Sequence, residues 1–307
     1  MLVVAALGGN ALLRRGEALD VVAQRENVRT AASALAEIAR EHRLVVTHGN
    51  GPQVGLIALQ NEAYRDVRAY PLDVLGAESE GMIGYLLEQA LHNELPDRDV
   101  ATLLTQVVVD HDDPAFAHPT KPIGPVYTSD DARRLAAARG WSVAQDGDGW
   151  RRVVPSPRPR RIVELRTIQL LVAANVIVVC AGGGGIPVVE RGGAAYGVEA
   201  VIDKDFAAAQ LAQELRADVL LLLTDVAGVF AGWGTLRSRL IRRAHPGALR
   251  ELALPPGSMG PKAEAAAAFA SATGGVAAIG MLDEARAVLR GGAGTTVSTV
   301  CDGLDLV

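Results

Sequence analysis

The chain has 307 residues and a formal net charge of −5, with 49% hydrophobic and 21% charged residues. This length permits one large α/β domain or two lobes, and the acidic balance argues against a general nucleic-acid binder. Aromatic residues make up only 4%, so we expect a core of Val, Leu, Ile and Ala.

The small number of cysteines and the hydropathy of the chain indicate where in the cell the protein is expected. Cys180 and Cys301 lie in apolar or strand-like contexts, which is typical of reduced packing residues in a cytosolic protein, with a disulfide as the alternative. Arg14 and Arg15 follow the apolar N-terminal run, the reverse of the order in a secretory signal. No apolar stretch reaches the ~18 residues of a membrane helix. We therefore expect a soluble cytoplasmic protein with no membrane partner.

The first element reads as a strand, a glycine turn and the start of a helix. Leu2 to Leu7 is an apolar, β-prone run that meets Gly8, Gly9 and Asn10, and a helical pattern starts at Ala11. Glycine allows close approach of a ligand to the backbone, and a helix N-terminus attracts anions. A merely tightened loop explains a single glycine turn equally well.

The same arrangement recurs after the second predicted strand. Leu44–Thr47 leads through His48 to Gly49, Asn50 and Gly51, and the following proline suits the first turn of a helix. The repeat predicts two walls of one phosphate site. Neither turn fits the dinucleotide-binding or P-loop fingerprint.

Helices are predicted from apolar spacing over Ala18 to Arg40, Val54 to Arg65 and Leu72 to Leu95. The third contains Gly76, Gly81 and Gly84, which permit close packing either within the chain or across a dimer interface.

A strand predicted over Ala101 to Val109 precedes a change in composition. Residues 110–161 are rich in proline and arginine and have little apolar periodicity outside a short helix over Ser129–Arg139. We expect a small protruding subdomain or lid here, with a disordered linker as the alternative. The residues available for its small core are Ile123, Val126, Tyr127, Trp141 and Trp150.

The sheet pattern then resumes. Further strands are predicted over Val176–Ala181, Asp218–Thr224, Ala277–Ile279 and Thr296–Val300, and helices over Phe206 to Leu215 and Pro261 to Ala272. Strands that alternate with helices predict an α/β fold, namely a three-layer α/β/α sandwich around a mainly parallel central sheet, in a single domain over 1–307.

The candidate chemistry rests on lysines, since the sequence shows neither a nucleophile triad nor a Cys/His metal constellation. Only Lys121, Lys204 and Lys262 occur, each beside a turn. In an arginine-rich chain, a retained lysine favours a need for a compact point charge. Asp203 and Asp205 flank the second lysine and either hold its ammonium group, approach a metal through water, or form a solvated turn.

Glycine turns and ammonium groups without a base are typical of phosphoryl transfer, which needs positioning and charge neutralisation, with Mg²⁺ bridging nucleotide phosphates. Asp225 ends a buried strand. It either caps the next turn or contacts the nucleotide.

Several segments resemble carbamate kinases of the amino-acid kinase family, in order over nearly the whole chain. The most specific are PTKPIGPVYT (119–128) and GSMGPKAEAA (257–266); others are THGNGPQVG (47–55), AGGGGIPVV (181–189), GVEAVIDKDFA (197–207) and LLTDVAGVF (222–230). Kinases of this superfamily commonly have a lysine near the first glycine turn. Its absence here resembles the carbamate kinase branch, in which a lysine from the protruding subdomain serves instead.

The resemblance implies reversible phosphoryl transfer from carbamoyl phosphate to ADP, giving carbamate and ATP, with Mg²⁺, in fermentative arginine catabolism. It also implies a homodimer, with the carbamoyl phosphate site in the N-terminal part and the nucleotide site in roughly 175–307. The alternatives are a family member that phosphorylates another small acid and a non-catalytic ligand-sensing module on the same fold.

Residue roles follow from the same resemblance. Lys121, Lys204 and Lys262 would neutralise the phosphoryl group, and Asp205 would orient the lysines. The carbamoyl phosphate end would be held by Gly8, Gly9, Asn10, Gly49, Asn50 and Gly51. The nucleotide would lie along Gly182, Gly183, Gly184, Asp203, Thr224, Asp225, Val226, Gly228, Val229 and Met259. No protein residue is assigned to the metal.

One region departs from the family pattern. Between Phe230 and Pro256 the family usually has a longer loop and helix, with an aromatic residue just before the glycine turn. Here the segment is short and arginine-rich, and Leu254 and Pro255 stand at that point. Because this segment would border the nucleotide, adenine packing and nucleotide preference are left open.

Overall fold

The structure is a computed structural model of the chain, and it describes residues 1–13, 17, 20–64, 66, 68–235, 237–255, 257 and 259–307. The side chains of Asn10 and Ala11 lie outside this description. So do Arg14, Arg15 and Ala18, the first predicted residue of the second helix, and Arg65, the last predicted residue of the third.

Strands and helices alternate along the described chain, as the sequence predicts. The strands are β1 (Leu2–Leu7), β2 (Arg43–His48), β3 (Val100–Thr102), β4 (Gln106–Val109), β5 (Lys121–Tyr127), β6 (Ser142–Asp146), β7 (Gly149–Val154), β8 (Pro159–Ile162), β9 (Ile177–Val179), β10 (Ile186–Arg191), β11 (Ala194–Gly197), β12 (Val219–Thr224), β13 (Phe230–Ala231), β14 (Arg239–Ala244), β15 (Val276–Met281), β16 (Thr295–Val297) and β17 (Leu304–Leu306). The α-helices are α1 (Gly9–Leu12), α2 (Val21–Ala39), α3 (Gly51–Ala63), α4 (Leu72–Glu94), α5 (Ser129–Arg139), α6 (Leu165–Ala173), α7 (Lys204–Glu214), α8 (Pro246–Arg250), α9 (Met259–Thr273) and α10 (Ala285–Leu289).

The central sheet has the strand order β13-β14-β16-β15-β12-β1-β2-β9-β3, with β17 paired to β14. The pairs from β15 to β3 are all parallel, whereas β16 runs antiparallel to β15. Every residue of β1 is buried, which explains why its sequence is a continuous apolar run and not an alternating one.

Helices cover both faces of this sheet. Val4 and Ala6 of β1 belong to one core cluster, which α7 and α9 complete through residues such as Leu211 and Phe269. Val3 and Ala5 point into the other cluster, with Leu35 of α2 among its members. This alternation within one strand confirms the predicted three-layer α/β/α sandwich.

The prediction of a single strand over Ala101 to Val109 is wrong, because this segment forms two strands that belong to different sheets. β3 pairs with β9 at the end of the central sheet, whereas β4 pairs with β8 and β10. The break lies at Thr105, whose Oγ1 accepts from the amide of Ala181 and whose carbonyl accepts from the amide of Ile186. These long-range bonds divert the backbone although the sequence stays apolar.

Other predicted ends shift for local reasons. The strand predicted to reach Ala181 ends at Val179, because Ala181 takes a left-handed conformation with φ of 51°. The last predicted strand ends at Val297 rather than Val300. Helix α2 begins after Asp20, whose carboxylate caps the amides of Val22 and Ala23.

Two smaller sheets lie outside the central one. The sheet β5-β7-β6 is antiparallel and falls within residues 110–161, and the sheet β11-β10-β4-β8 flanks it in sequence. In the first, Ile123 is buried as predicted, but Val126 is exposed, so its predicted place in a small core is wrong. The guanidinium groups of Arg139 and Arg152 instead lie over the ring of Trp141, each 4.8 Å from the ring centroid.

The remaining global expectations concern cysteines, membranes and helical glycines. Cys180 and Cys301 are free thiols. No helix in the described ranges is long and apolar enough to cross a membrane. Gly84 of α4 packs inside the chain, since an added Cβ would lie 2.3 Å from Thr102 Cγ2.

Candidate functional site

The two glycine turns meet at one edge of the central sheet. β1 and β2 are parallel neighbours, so the turns that follow them leave the sheet on the same side. Gly49 donates its amide to Leu7 O at 3.2 Å, and a Cβ on Gly49 would lie 3.2 Å from the nitrogen of Gly9. A side chain at position 49 would thus crowd the first turn, and this close approach of the two backbones favours glycine there.

Helices α7 and α9 each bring one lysine to this edge. Lys204 Nζ donates to Asp205 Oδ1 at 2.6 Å, and Lys262 Nζ, from α9, donates to Asp205 Oδ2 at 3.2 Å. The Lys204 side chain reaches the second glycine turn, where its Cδ would be 3.4 Å from a Cβ on Gly49. One carboxylate thus fixes two ammonium groups beside the turn.

Lys121 joins the cluster from the three-stranded sheet. Its Nζ donates to Asp203 Oδ2 at 2.5 Å, while Asp203 Oδ1 accepts from the amide of Asp205 and caps α7. The lysine side chains at 204 and 262 are 11% and 13% exposed, against 30% for Lys121. The site therefore has two enclosed cations and one at its rim.

The charges at the centre of the cluster change the pKa values of Asp205 and Lys204. Burial by itself would raise the pKa of Asp205, but the ammonium groups of Lys204 and Lys262 hold that pKa well below its usual value. Burial lowers the pKa of Lys204, and the Asp205 carboxylate opposes this change. In the ion pairs of the described residues, the three lysines bind the carboxylates of Asp203 and Asp205, and this grouping of ammonium groups suits an anion.

A cavity of about 490 Å³ opens next to Lys262. Among the residues expected to hold the nucleotide, its walls include Thr224, Asp225, Val226, Gly228 and Met259. Gly8 and Gly9, expected to hold the other substrate, also line it. The cavity therefore runs from the first glycine turn along the end of β12.

Other predicted residues do not line this cavity. Val229 is fully buried in the core and donates its amide to Thr295 Oγ1. Gly182, Gly183 and Gly184 are buried behind the second turn instead: a Cβ on Gly183 would lie 2.1 Å from Asn50 Nδ2. Gly51 is the first residue of α3, and the side chain of Asn10 is outside the described part of the chain.

The segment that departs from the family pattern forms an apolar part of the cavity wall. Leu254 and Pro255 line the cavity together with Phe230 and Trp233, whose rings are tilted at 59° with centroids 5.2 Å apart. Sequence reasoning did not assign the two aromatic residues. The sequence feature that could have pointed to them is the scarcity of aromatic residues, which make up 4% of the chain.

Sequence reasoning also missed three side chains behind the turns. Asn50 Nδ2 donates to Ser79 Oγ at 2.7 Å, and the amide of Gly182 donates to Glu80 Oε1 at 2.8 Å. His48 is fully buried. No local pattern marks Ser79 or Glu80, because Asn50 and Gly182, which they bind, come from distant parts of the chain.

The structure offers no preformed protein cage for a metal ion: within the described ranges, no group of three His, Cys, Asp or Glu side chains is placed to hold one. Both carboxylates of the cluster are engaged by lysines. This donor set fits a Mg²⁺ ion that is held mainly by the phosphates of a nucleotide, as is usual for that ion.

Comparison with known proteins gives one consistent relationship. The amino acid kinase family model matches residues 1–279. The carbamate kinase of Rhizobium meliloti is 56% identical, covering 97% of this chain and 94% of the relative. The carbamate kinase of Giardia lamblia superposes with a TM-score of 0.92 in its citric acid complex (43% identity, 97% of this chain and 98% of that one) and 0.88 in its AMP-PNP complex (42% identity, with the same coverage). This chain therefore belongs to the amino acid kinase family, within the branch that holds the carbamate kinases.

Proposed function

We propose that this phosphotransferase is a carbamate kinase, which moves a phosphoryl group reversibly between carbamoyl phosphate and ADP to give carbamate and ATP. The observation that carries the proposal is the pair of enclosed ammonium groups, Lys204 and Lys262, held by Asp205 at the edge where both glycine turns end. Identity above 50% to a carbamate kinase over nearly the full length supports it.

The reaction suits a site that lacks a general base. The attacking group is an oxygen of the ADP β-phosphate, which carries no proton at neutral pH, and the leaving group is the carbamate oxygen. The bond between that oxygen and phosphorus breaks while a new phosphorus–oxygen bond forms to ADP. The protein must align the two oxygens and stabilise the charge on the group in transfer.

The three lysines divide this task by position. Lys204 lies against the second glycine turn and would face the carbamoyl phosphate end, while Lys262 borders the cavity and would face the nucleotide end. Lys121 would approach from the rim. Asp205 would hold the enclosed pair apart at a fixed spacing, and Gly8, Gly9 and Gly49 would present the backbone to the phosphate oxygens.

The nucleotide would occupy the cavity beside Thr224, Asp225 and Met259. The Giardia relative binds AMP-PNP, and the 490 Å³ volume lies within the usual range for a small-molecule site. Bound Mg²⁺ would supply additional neutralisation of the phosphate charge. Asp203 and Asp205, already paired with lysines, would influence it only through the water around the nucleotide.

Different parts of the chain would contribute different parts of the site. Residues 110–161 would act as an inserted, protruding subdomain that contributes Lys121, while the N-terminal part would hold carbamoyl phosphate and roughly 175–307 the nucleotide. The free thiols of Cys180 and Cys301 agree with a cytoplasmic location. A role in fermentative arginine breakdown, with ATP as the product, completes the proposal.

A homodimer would cover the β3 end of the central sheet. β3 is the terminal strand there, and apolar side chains are exposed next to it: Met82 and Tyr85 on α4, and Leu104 just after β3. Exposed strand edges beside apolar patches are common association surfaces. Light scattering tests this, because Tyr85→Asp combined with Leu104→Asp should halve the mass of a dimer.

The direct assay is ATP formation from carbamoyl phosphate and ADP with Mg²⁺, followed by coupled luminescence. We expect turnover that depends on both substrates. A panel of other phosphorylated small acids tests a different family kinase. If nucleotide binds to the folded protein but no ATP forms from any member of the panel, the protein is a sensor and the proposal is wrong.

A further inference from the structure

The side chain of Asn50 is enclosed at the start of helix α3. Asn50 is 5% exposed and precedes Gly51, the first residue of the helix. Its amide group packs against the glycine loop after β9, because a Cβ on Gly183 would lie 2.1 Å from Asn50 Nδ2 and 2.5 Å from Asn50 Oδ1. The amide therefore has little room to move, and the remaining question is which of its two ends carries the oxygen.

Ser79 of helix α4 determines that orientation. Asn50 Nδ2 lies 2.7 Å from Ser79 Oγ, and the serine hydroxyl donates to the carbonyl oxygen of Gly76 at 2.8 Å. Because a carbonyl oxygen only accepts, the hydroxyl proton is directed at Gly76, and Ser79 Oγ faces Asn50 as an acceptor. The end of the amide that faces the serine must then be the N–H donor, since the partners decide which end is nitrogen. Oδ1 is therefore the end that does not bind Ser79.

The oxygen of this nearly buried amide has no protein donor. Asparagine is a common N-cap residue because its side-chain oxygen accepts from the first helical amides, but the Asn50 side chain makes no such bond to α3. Within the described part of the chain, its one hydrogen bond is the one from Nδ2 to Ser79. Oδ1 is also not one of the fully buried, partnerless side-chain atoms there, so it keeps contact with solvent. A ligand that carries a hydrogen-bond donor can therefore reach it.

The unpaired oxygen belongs to the turn that lies beside the lysine cluster. Gly49, the residue before Asn50, is close to both other parts of the site, since its added Cβ would lie 3.2 Å from Gly9 N and 3.4 Å from Lys204 Cδ. Under the proposed function, the carbamoyl end of the substrate would bind at this turn. A carbamoyl group differs from an acetyl group in having an NH₂ donor where the other has a methyl group. An amide oxygen distinguishes the two, because only the amino group can donate to it.

We propose that Ser79 is a positioning residue that fixes the amide of Asn50 with Oδ1 toward the substrate, where it accepts a hydrogen bond from the carbamoyl amino group. This inference rests on the proposed function and adds the feature by which the site would select its substrate. In the reversed orientation, the Asn50 amino group would face the amino group of the substrate, and two donors cannot bind each other. Selection of carbamoyl phosphate over a similar acyl phosphate would therefore depend on a serine that does not itself touch the substrate.

The test measures kcat/KM for ATP formation from carbamoyl phosphate and from acetyl phosphate, with ADP and Mg²⁺. Acetyl phosphate is also assayed as an inhibitor of the first reaction, so that its affinity is obtained even where its turnover is slow. The full-length proteins are the wild type, Asn50→Ala, Ser79→Ala and the double variant, with circular dichroism as the check on folding. Thr30→Ala is the matched control, because Thr30 is also a helical hydroxyl residue that donates to a backbone carbonyl, Glu26 O at 3.2 Å, but on helix α2.

The expected result is a loss of substrate preference, defined as kcat/KM for carbamoyl phosphate divided by that for acetyl phosphate. Asn50→Ala should lower this ratio by about 10–100-fold, since the amino group of the substrate then has no acceptor. Ser79→Ala should lower it by about 3–10-fold, because the amide can then adopt either orientation. In the Asn50→Ala background, Ser79→Ala should leave the ratio unchanged, because the serine acts through Asn50. Thr30→Ala should keep the wild-type ratio.

A merely structural role for Ser79 would lower both kcat/KM values equally. An unchanged ratio in folded Ser79→Ala protein therefore overturns the proposal, whether or not Asn50→Ala folds. Additive losses in the double variant also overturn it, since Ser79 would then act by another route. In both cases, ATP formation from carbamoyl phosphate by the wild type leaves the proposed function in place. A folded wild-type protein that makes ATP from neither acyl phosphate rejects the proposed function and this proposal together.

Discussion

The lysine cluster and the apolar cavity wall border the same cavity but are built on different principles. The cluster lies at the start of α7, where charges fix one another: Asp205 binds two ammonium groups and is itself buried. The wall is formed by Phe230, Trp233 and Leu254, on short segments with half-exposed or exposed side chains. Under the proposed function, the chemistry would depend on a rigid electrostatic centre, whereas recognition of the base would depend on surface packing that tolerates substitution.

Removing an enclosed ammonium group from the lysine cluster should cause the largest loss of activity. Lys204→Ala and Lys262→Ala should each lower kcat by about 10²–10³-fold, because charge stabilisation in the transition state is lost. Circular dichroism should show an unchanged fold. Arg250→Ala is the matched control, since Arg250 forms an exposed ion pair with Glu264 on α9. Equal activity in the lysine variants and this control would contradict the assignment.

Neutralising Asp205 should test whether the cluster also stabilises the fold. Asp205→Asn leaves two enclosed ammonium groups together without their carboxylate, and breaking a buried ion pair costs about 3–5 kcal/mol of unfolding free energy. Because the folded-state pKa of Asp205 is lowered, its contribution is present above the ordinary aspartate pKa and is lost as pH falls below it. Urea denaturation should thus show a gap from wild type that is constant at pH 5–7 and shrinks toward pH 2. A pH-independent gap would contradict the ion-pair explanation.

The position of Lys121 depends on a backbone contact between the three-stranded sheet and α3. A Cβ on Gly55 would lie 2.0 Å from Gly124 Cα, and Gly124 is three residues beyond Lys121 on β5. Gly55→Ala should shift that strand and lower kcat by about 10–100-fold, since small misplacements of catalytic groups are costly. Gly292→Ala provides the control, because its Cβ would make only an ordinary 3.5 Å contact. Wild-type kcat in Gly55→Ala would show that Lys121 is not positioned through this contact.

The centre of the fold could be predicted because its information is local. The continuous apolar run of Leu2 to Leu7 specifies a strand buried on both faces, and the glycines after it specify a turn. The placement of Lys262 near Asp205 depended on recognising a motif, since periodicity alone does not bring α7 and α9 together.

Other features could not be read locally because distant contacts create them. The break at Thr105 depends on a bond to Ala181, 76 residues away. His48 looks like an isolated histidine in the sequence, and the backbone that packs against it, at Gly182, comes from a distant part of the chain. Val229, adjacent to the cavity-lining Gly228, points into the core. The cavity wall lies on irregular segments, so the periodicity of hydrophobic residues in the sequence could not predict its position.

Replacing Trp233 in the apolar cavity wall should change the kinetics least of these substitutions, which would distinguish the wall from the lysine cluster. Stacking of an aromatic side chain on a base contributes about 1–3 kcal/mol. Trp233→Ala should therefore raise KM for ADP by about tenfold while kcat falls little, because under the proposed function the tryptophan would act on nucleotide binding and not on the phosphoryl group in transfer. Tyr196→Ala, an exposed aromatic on β11, should leave both constants unchanged. A Trp233→Ala enzyme that loses kcat instead would mean that the cavity wall helps to position the reacting phosphate, and that the electrostatic and apolar regions of the site are coupled.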